Sequence, residues 1–281
     1  MMNKQIKSLA IVYRENNIKA KNWAKKIELF VKKQFSKIII FDKKPSVVLV
    51  LGGDGTILET ARKYQKSDAL IFGMNLGNVG FLASVRKPEN FLTALKQFFT
   101  GNYFVAERMM LASAVYRSNK IVFKSDALND IVVQNPLGIV EIEVNIENYP
   151  FQYVSGTGVL VSTATGSTAY NLSAHGPIVM PDIKCMILSE LLDHNIPTPS
   201  VVIKYNKEIE LKIADFRERG LLSVTKTEKP ADVLLIADGE IIFPLQKNDI
   251  IKIQSSPRLI KFVELEKNYF FKSLQEKFAF K

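Results

Sequence analysis

The stretch VVLVLGGDGTILETARKY, residues 47–64, decides the fold of the first half of the chain. It opens with a continuous apolar run, VVLVL, which is typical of a strand covered on both faces. It closes with Ile57, Ala61 and Tyr64 at helical spacing. Between the two lie three glycines around one carboxylate, Asp54. A strand, a glycine turn and a helix in this order predict an open parallel sheet, in which ligands bind beyond the carboxyl ends of the strands.

The same alternation of strand and helix extends over the first hundred residues. Strands are predicted at residues 8–13 (SLAIVY), 37–41 (KIIIF), 47–51 (VVLVL) and 69–75 (ALIFGMN), and helices at residues 21–35 (KNWAKKIELFVKKQF), 56–64 (TILETARKY) and 87–99 (KPENFLTALKQFF). This order predicts an α/β domain with an open, mainly parallel, Rossmann-like sheet.

The pattern changes in the second half, where apolar and polar residues alternate. Residues 139–148 (IVEIEVNIEN), 207–215 (KEIELKIAD) and 249–256 (DIIKIQSS) all show this period of two. Such strands have one wet face, which predicts a mostly antiparallel β domain.

The predicted domain boundaries follow from these patterns. Residues 106–255 form the β domain, and residues 1–105 form the α/β domain together with residues 256–281. Near the end, NYFFKSLQEKFAF places Phe270, Leu274 and Phe278 on one helical face. We expect this terminal helix to pack back on the N-terminal domain rather than to bind a partner.

Composition excludes several classes of protein. The 281 residues are 47% hydrophobic, which is enough for a full core, and no apolar run reaches the roughly 18–20 residues needed to span a membrane. The net charge of +10 comes from scattered residues with no nucleic-acid motif, so we expect no nucleic-acid partner. A second interpretation is that part of this positive charge attracts a polyanionic small substrate. The single cysteine, Cys185, excludes an intramolecular disulfide. These features predict a cytoplasmic protein without a membrane partner.

The GGDG turn is the first candidate site. Gly52 and Gly53 allow the backbone to approach a ligand closely, and N–H groups in such a turn and at the start of the next helix hold phosphate oxygens. Asp54 would be repelled by a phosphate unless it accepts a proton from an attacking hydroxyl or organises Mg²⁺. The structural alternative is an N-cap for the following helix, with Thr56 as the competing cap.

A second glycine loop, GMNLGNVGFL at residues 73–82, follows the next strand. Its spacing is not the Rossmann fingerprint, and no Walker A lysine motif is present in the chain. It adds Asn75, Gly77, Gly80 and Phe81 to the candidate site. Two glycine loops after successive strands predict a phosphate-bearing ligand at that edge of the sheet.

A third motif, GVLVSTATGSTAYNLSAHGPIV at residues 158–179, is rich in hydroxyl side chains. They are Ser162, Thr163, Thr165, Ser167 and Thr168. Helix caps explain one or two of them, and we interpret the whole run as groups for sugar hydroxyls and phosphates. Tyr170 adds a flat face for a base.

Together these motifs resemble those of bacterial NAD kinases. GGDG, GxNxGxxGFL and GSTAYNLSAxGPIV occur in that family's order, and ADGEIIFPLQKNDIIKIQSS resembles its later DG-containing β segment. The resemblance spans residues 11 to about 263. It implies transfer of the γ-phosphate of ATP to the 2′-hydroxyl of the adenosine ribose of NAD, with Mg²⁺, and it leaves open whether polyphosphate can replace ATP as the donor. It also implies a homodimer or homotetramer.

The resemblance assigns roles to individual residues. Asp54 matches the carboxylate that activates the hydroxyl, while Asn129 and Asp130 match an Asn-Glu pair at the adenosine half of NAD. The implied NAD-binding set is Gly53, Asp54, Gly55, Asn129, Asp130, Thr157, Thr165, Thr168, Ala169, Tyr170 and Ser173.

Five features depart from the family pattern, and one of them is Thr198-Pro199, where the family usually has Arg-Pro. Asp130 is one methylene shorter than the usual Glu, and Thr157 stands where an Asp lies near the nicotinamide end. Ala164 replaces a proline and His175 a glycine. These changes leave open the preference between NAD and NADH. They also leave open a catalytically weakened nucleotide sensor. A further alternative is a diacylglycerol- or sphingosine-like kinase that shares only GGDG, and GSTAY argues against it.

Overall fold

The computed structural model describes residues 6–40, 43–77, 80–193, 198–223 and 230–279. The chain divides into two compact units, Met1–Arg108 with Arg258–Lys281 and Met109–Pro257. Phe41, Phe280 and two residues of the second glycine loop, Asn78 and Val79, lie outside the described residues.

Helices and strands alternate in the first third of the chain, and strands dominate the rest. In chain order the elements are β1 (Ser8–Tyr13), α1 (Ile18–Gln34), β2 (Ile39–Ile40), β3 (Val47–Leu51), α2 (Asp54–Tyr64), β4 (Leu70–Met74), a 3₁₀ turn (Pro88–Asn90), α3 (Phe91–Phe99), β5 (Phe104–Arg117), β6 (Lys120–Ala127), β7 (Asp130–Gln134), β8 (Val140–Ile146), β9 (Tyr149–Thr163), a second 3₁₀ turn (Thr165–Thr168), α4 (Tyr170–Ser173), β10 (Cys185–Asp193), β11 (Val201–Lys204), β12 (Ile209–Phe216), β13 (Leu222–Ser223), β14 (Pro230–Ala231), β15 (Val233–Ala237), β16 (Ile241–Leu245), β17 (Ile250–Glu264) and α5 (Tyr269–Phe278).

The first unit contains the predicted parallel sheet, in the order β2–β1–β3–β4–β17. Every residue of β3 and β4 is buried, as expected for strands covered on both faces. Leu49 and Phe72 pack in one core with side chains of α1 and α3. On the other face α2 lies so close to β4 that a Cβ on Gly73 would come within 2.7 Å of Ile57 Cδ1.

The starts of three helices differ from the prediction: α3 begins at Phe91 after a 3₁₀ turn, and α1 and α2 each begin earlier than expected. Helix α1 begins at Ile18, earlier than expected, because the Asn17 side chain caps it by accepting from Ala20 N at 3.1 Å. Helix α2 begins at Asp54, with Gly53 as the N-cap and no side-chain capping bond. Among the described residues, no helix combines the length and apolarity needed to cross a membrane.

The terminal helix α5 packs on the first unit, as predicted. The Phe81 ring centroid lies 6.2 Å from the centroids of both Phe270 and Phe278. The buried residues of the helix are Tyr269 and Ser273, so its contact face is wider than the predicted stripe.

The second unit is mostly antiparallel, as the period of two predicts. The long strand β9 pairs with β7, β8 and β10, and further antiparallel pairs link β8 to β12, β12 to β17, β7 to β15 and β15 to β16. In β8 the buried residues Val140, Ile142 and Val144 alternate with partly exposed neighbours. The buried residues join a core cluster that runs through this unit.

Candidate active site

A cavity of about 390 Å³ lies in the first unit, beyond the carboxyl ends of β3 and β4. It is lined by Asn17, Gly52, Gly53, Asp54, Asn75, Leu76, Gly77, Gly80 and Lys277. The structure therefore brings the two predicted glycine loops together around one space, with Asp54 at its wall.

The Asp54 carboxylate is held by the second glycine loop. Its Oδ2 accepts from Phe81 N at 2.8 Å, and its Oδ1 accepts from Leu82 N at 3.3 Å. Asp54 is half-buried and stands in the first turn of α2, where the helix dipole favours a negative charge. The capping alternative is wrong, because Gly53 is the N-cap and the carboxylate bonds across to another loop.

Close approach explains two of the glycines. A Cβ on Gly80 would overlap the Asp54 carboxylate, and a Cβ on Gly52 would lie 2.7 Å from Thr56 Oγ1. Asn75 is buried and shapes its own loop, since its Oδ1 accepts from Gly77 N at 2.7 Å. These residues build the wall of the cavity.

The loop that holds Asp54 is tethered in turn by the terminal helix. The Tyr269 hydroxyl donates to the carbonyl of Ala83 and accepts from Arg86 Nε at 3.1 Å. The Arg86 guanidinium also bonds to Ser273 and Glu276. Burial raises the pKa of Tyr269, which keeps its phenol a neutral donor.

The hydrogen bonds of Tyr269 and Arg86 were not predicted from the sequence, because they join residues more than 180 positions apart and no local pattern indicates them. Burial alone would lower the pKa of Arg86, but Tyr269 and Glu276 hold it above its ordinary value. The guanidinium is therefore a permanent positive partner within this cluster.

In the second unit the Asn129–Asp130 turn contacts the hydroxyl-rich motif. The Asn129 carbonyl accepts from Thr163 N at 2.8 Å and from Ser162 Oγ at 3.1 Å. A Cβ on Gly166 would overlap that same carbonyl oxygen. The structure thus brings these two predicted segments together.

The turn is fixed by a carboxylate to which the sequence analysis gave no role. Asp238 accepts from the backbone N–H groups of Leu128, Asn129 and Asp130 at 3.0, 2.7 and 3.3 Å. Asp238 and Gly239 have φ values of 48° and 70° in the turn between β15 and β16. A DG dipeptide between apolar runs is the usual signal for such a hairpin, and that signal was readable in the sequence.

Asp130 has an unusual electrostatic environment. It is only 5% exposed, and burial, followed by the charge of Asp238, raises the pKa of Asp130 to about 7. Near neutral pH its carboxyl is therefore present in both protonation states, so it can donate or accept a hydrogen bond.

The interpretation of the hydroxyl run is corrected for three residues. Ser162, Thr163 and Ser167 are buried, and their hydroxyls donate to the carbonyls of Asn129, Leu128 and Val179 respectively. They hold the motif together because buried hydroxyls need partners.

The other residues of the motif differ in exposure. Thr165 is buried, and its carbonyl accepts from Thr168 Oγ1 at 3.4 Å. Thr168 and Ala169 are half-buried, while Tyr170 and Ser173 are exposed. The exposed pair, with the edges of Thr168 and Ala169, forms the part of the motif open to a ligand.

Thr157 lies in β9, the strand whose end, Thr163, belongs to the hydroxyl-rich motif. It is half-buried in β9, and its carbonyl accepts from Asn135 N at 2.8 Å. At the rise of an extended strand it stands roughly 20 Å from Thr163. His175 is exposed with a φ of 59°, a left-handed conformation that a glycine adopts without strain.

Comparison with known proteins identifies the family. Residues 2–103 match the model of the ATP-NAD kinase N-terminal domain, and residues 128–265 match that of the ATP-NAD kinase C-terminal domain. The NAD kinase of Natranaerobius thermophilus is 35% identical over 233 residues, which are 82% of this chain and 77% of that protein.

Two solved structures share the fold. Yeast NADH kinase complexed with NADH superposes with a TM-score of 0.86 at 18% identity, over 98% of this chain and 88% of that one. An NAD kinase from Archaeoglobus fulgidus in complex with ATP gives 0.73 at 23% identity, over 95% and 98%. With both family models matched in order and a relative this similar over most of its length, the chain belongs to the NAD kinase family.

Proposed function

We propose that this enzyme transfers the γ-phosphate of ATP to the 2′-hydroxyl of the adenosine ribose of NAD, forming NADP and ADP. The observation that carries the proposal is Asp54, a half-buried carboxylate held by two N–H groups at a cavity lined by two glycine loops. Membership of the NAD kinase family supports the choice of substrates.

In the proposed reaction Asp54 accepts the proton of the 2′-hydroxyl. The ribose oxygen forms a bond to the γ-phosphorus, and the bond from that phosphorus to the bridging oxygen of ADP breaks. Phosphoryl transfer depends mainly on positioning and charge stabilisation. The bonds from Phe81 and Leu82 fix the carboxylate before substrate arrives, so little reorganisation is needed.

The second unit is proposed to bind the adenosine half of NAD. Asn129 and Asp130 offer polar groups, and Tyr170 offers a ring for the base. The full proposed NAD set remains Gly53, Asp54, Gly55, Asn129, Asp130, Thr157, Thr165, Thr168, Ala169, Tyr170 and Ser173. The hydrogen bonds from Asp238 support this assignment, because they hold Asn129 and Asp130 in one conformation.

Mg²⁺ is proposed to arrive with the donor nucleotide. Among the residues that the structure describes, no group of three or more His, Cys, Asp or Glu side chains is arranged to hold a metal ion. The cavity offers one carboxylate, Asp54, which does not make a protein cage. Mg²⁺ commonly keeps several waters and binds through substrate phosphates with one or two carboxylates, and this arrangement suits the donors present in the cavity.

A coupled assay tests the function. The purified protein is incubated with NAD, ATP and Mg²⁺, and NADP is followed with an NADP-specific dehydrogenase. We expect Asp54→Asn to lower kcat at least a hundredfold, as for loss of a general base, while NAD binding measured by calorimetry persists. Asp182→Asn, which removes an exposed carboxylate, is the control and should keep wild-type turnover.

The outcomes separate the alternatives. NAD binding without NADP formation by the wild-type protein supports a nucleotide sensor instead. Turnover of Asp54→Asn within tenfold of wild type, or about 1.4 kcal/mol of barrier, would show that Asp54 is not the base. Replacing ATP by polyphosphate in the same assay identifies the donor.

Thr157 is proposed to face the nicotinamide end, since it lies far along β9 from the hydroxyl-rich motif. Thr157→Asp introduces a negative charge there and should change the ratio of kcat/KM for NAD and NADH. An unchanged ratio would place this residue outside the dinucleotide site.

The two predicted domains are proposed to have different roles in an oligomeric enzyme. Residues 1–105 with 256–281 carry the GGDG site, and residues 106–255 bind NAD. The enzyme is proposed to act in the cytoplasm as a homodimer or homotetramer, in keeping with its single cysteine, which is buried and free. Light scattering coupled to size-exclusion chromatography measures the oligomeric state.

A further inference from the structure

Lys277, near the end of α5, lines the cavity that contains Asp54. Its Nζ lies 4.9 Å from the centroid of the Phe81 ring. The backbone N–H of Phe81 donates to the Asp54 carboxylate. One residue of the second glycine loop therefore supports both the carboxylate and the cation.

The charge of Lys277 is not neutralised within the described part of the protein. No carboxylate in the described ranges forms an ion pair with it, whereas Lys272 on the same helix pairs with Glu266 at 3.2 Å. The acidic group on the cavity wall, Asp54, already accepts two backbone N–H bonds. The ammonium is thus available to an anion that enters the cavity.

The rest of the wall suits a phosphate chain. Gly52, Gly53, Gly77 and Gly80 present backbone without side chains, which allows close approach of a ligand. P-loop proteins place a lysine of their glycine-rich loop beside the β- and γ-phosphates. This chain has no P-loop motif, so neither of its two glycine loops supplies that lysine. A lysine from the terminal helix occupies the same cavity.

We propose that Lys277 binds the phosphate chain of the phosphoryl donor in this cavity. The inference rests on the proposed kinase function and extends it to a residue outside the glycine-rich and hydroxyl-rich motifs. A lysine ammonium is a compact charge with three donors, which suits phosphate oxygens. The Phe81 ring attracts the ammonium and restricts its long side chain, so less freedom is lost when the donor binds.

Three variants test the assignment. Lys277→Met keeps the aliphatic stem over Phe81 but removes the charge, Lys277→Arg keeps the charge, and Lys272→Met removes a paired lysine from the same helix. We expect Lys277→Met to raise KM for ATP about tenfold or more and to leave KM for NAD within twofold. The arginine variant should recover most of the affinity, and the Lys272 control should match wild type.

Binding of inorganic tripolyphosphate, measured by calorimetry without NAD, gives a second readout. Lys277→Met should weaken it by a factor similar to the rise in KM for ATP, while binding of adenosine stays unchanged. Equal affinities of wild type and Lys277→Met for tripolyphosphate would overturn the proposal. So would an equal rise of KM for ATP and NAD, since that result indicates a general distortion through Phe81.

The two proposals fail in different ways. NADP formation with an unchanged KM for ATP in Lys277→Met leaves the kinase function intact and removes Lys277 from the site. The opposite outcome is a wild-type protein that binds tripolyphosphate but makes no NADP, together with a Lys277→Met variant that no longer binds tripolyphosphate. That outcome supports the phosphate contact and rules out the kinase function.

Discussion

Asp130→Asn is expected to change the pH dependence of stability, because this carboxyl is buried with a raised pKa. An ionised aspartate in the unfolded chain titrates near 3.9, whereas burial and the charge of Asp238 raise the pKa of Asp130 to about 7 in the folded protein. Between these two values the folded state binds a proton that the unfolded state does not. Stability then falls as pH rises, and the fall ends above the folded pKa.

The size of the effect follows from the two pKa values. The cost of Asp130 to the folded state is about 1.5 kcal/mol at pH 5 and about 4 kcal/mol at pH 8. Asparagine does not titrate, so it adds no pH-dependent cost to the stability of the folded state. The free energy of unfolding of Asp130→Asn, minus that of wild type, should therefore increase by about 2.5 kcal/mol from pH 5 to pH 8.

Urea unfolding of ligand-free protein at four pH values between 5 and 8 measures this difference. Any constant effect of the amide cancels, because only the change with pH is used. Asp215→Asn is the matched control, since hydrogen bonding to Lys247 lowers the pKa of exposed Asp215. A lowered pKa makes its contribution constant above about pH 5 and lost only in acid, so the control difference should stay flat from pH 5 to pH 8.

A flat difference for Asp130→Asn as well would refute the reasoning. It would mean that Asp130 is ionised in the folded protein throughout this range, and that the buried turn compensates its charge.

Three further changes have expected outcomes. Gly80→Ala places a methyl group where the Asp54 carboxylate lies, so kcat should fall about a hundredfold. A kcat within threefold of wild type would contradict the proposal that the second glycine loop positions this carboxylate for catalysis. Tyr269→Phe leaves the Ala83 carbonyl without its hydroxyl donor and should lower the free energy of unfolding by about 1–3 kcal/mol, measured in urea. His175→Gly relieves a left-handed residue and should raise that free energy by about 0.5–1 kcal/mol, visible as a higher Tm, whereas a lower Tm would indicate a contact of the imidazole.

Local patterns predicted much of the fold. The bounds of β1 and β3 agree with the apolar runs, and the alternation in β8 agrees with its buried and exposed faces. These features depend on neighbours along the chain, which a sequence displays directly. The predicted start of α2 at Thr56 was wrong by two residues. The helix begins at Asp54, because a glycine, which has no capping side chain, occupies the N-cap.

The partners of the hydroxyl run were beyond such patterns. Ser162 and Thr163 bond to the carbonyls of Asn129 and Leu128, which lie more than thirty positions earlier in the chain. A hydroxyl that holds a turn and one that meets a ligand have the same spacing in the sequence. The hydrogen-bond partner and the burial of each side chain separate the two cases, and neither can be read from the spacing.

The chain contains two Asp-Gly dipeptides in its matching motifs, and they serve different ends. Asp238 is buried in a left-handed hairpin turn and accepts three backbone N–H bonds. Asp54 is half-buried at the start of a helix and accepts two, both from one loop, at the wall of a cavity. A carboxylate has about four acceptor sites, so Asp54 retains capacity toward the cavity while Asp238 is committed to the fold. The same dipeptide thus yields a structural anchor in one place and, in the other, a carboxylate with acceptor sites left toward a cavity, and the difference is set by which backbone groups reach each carboxylate.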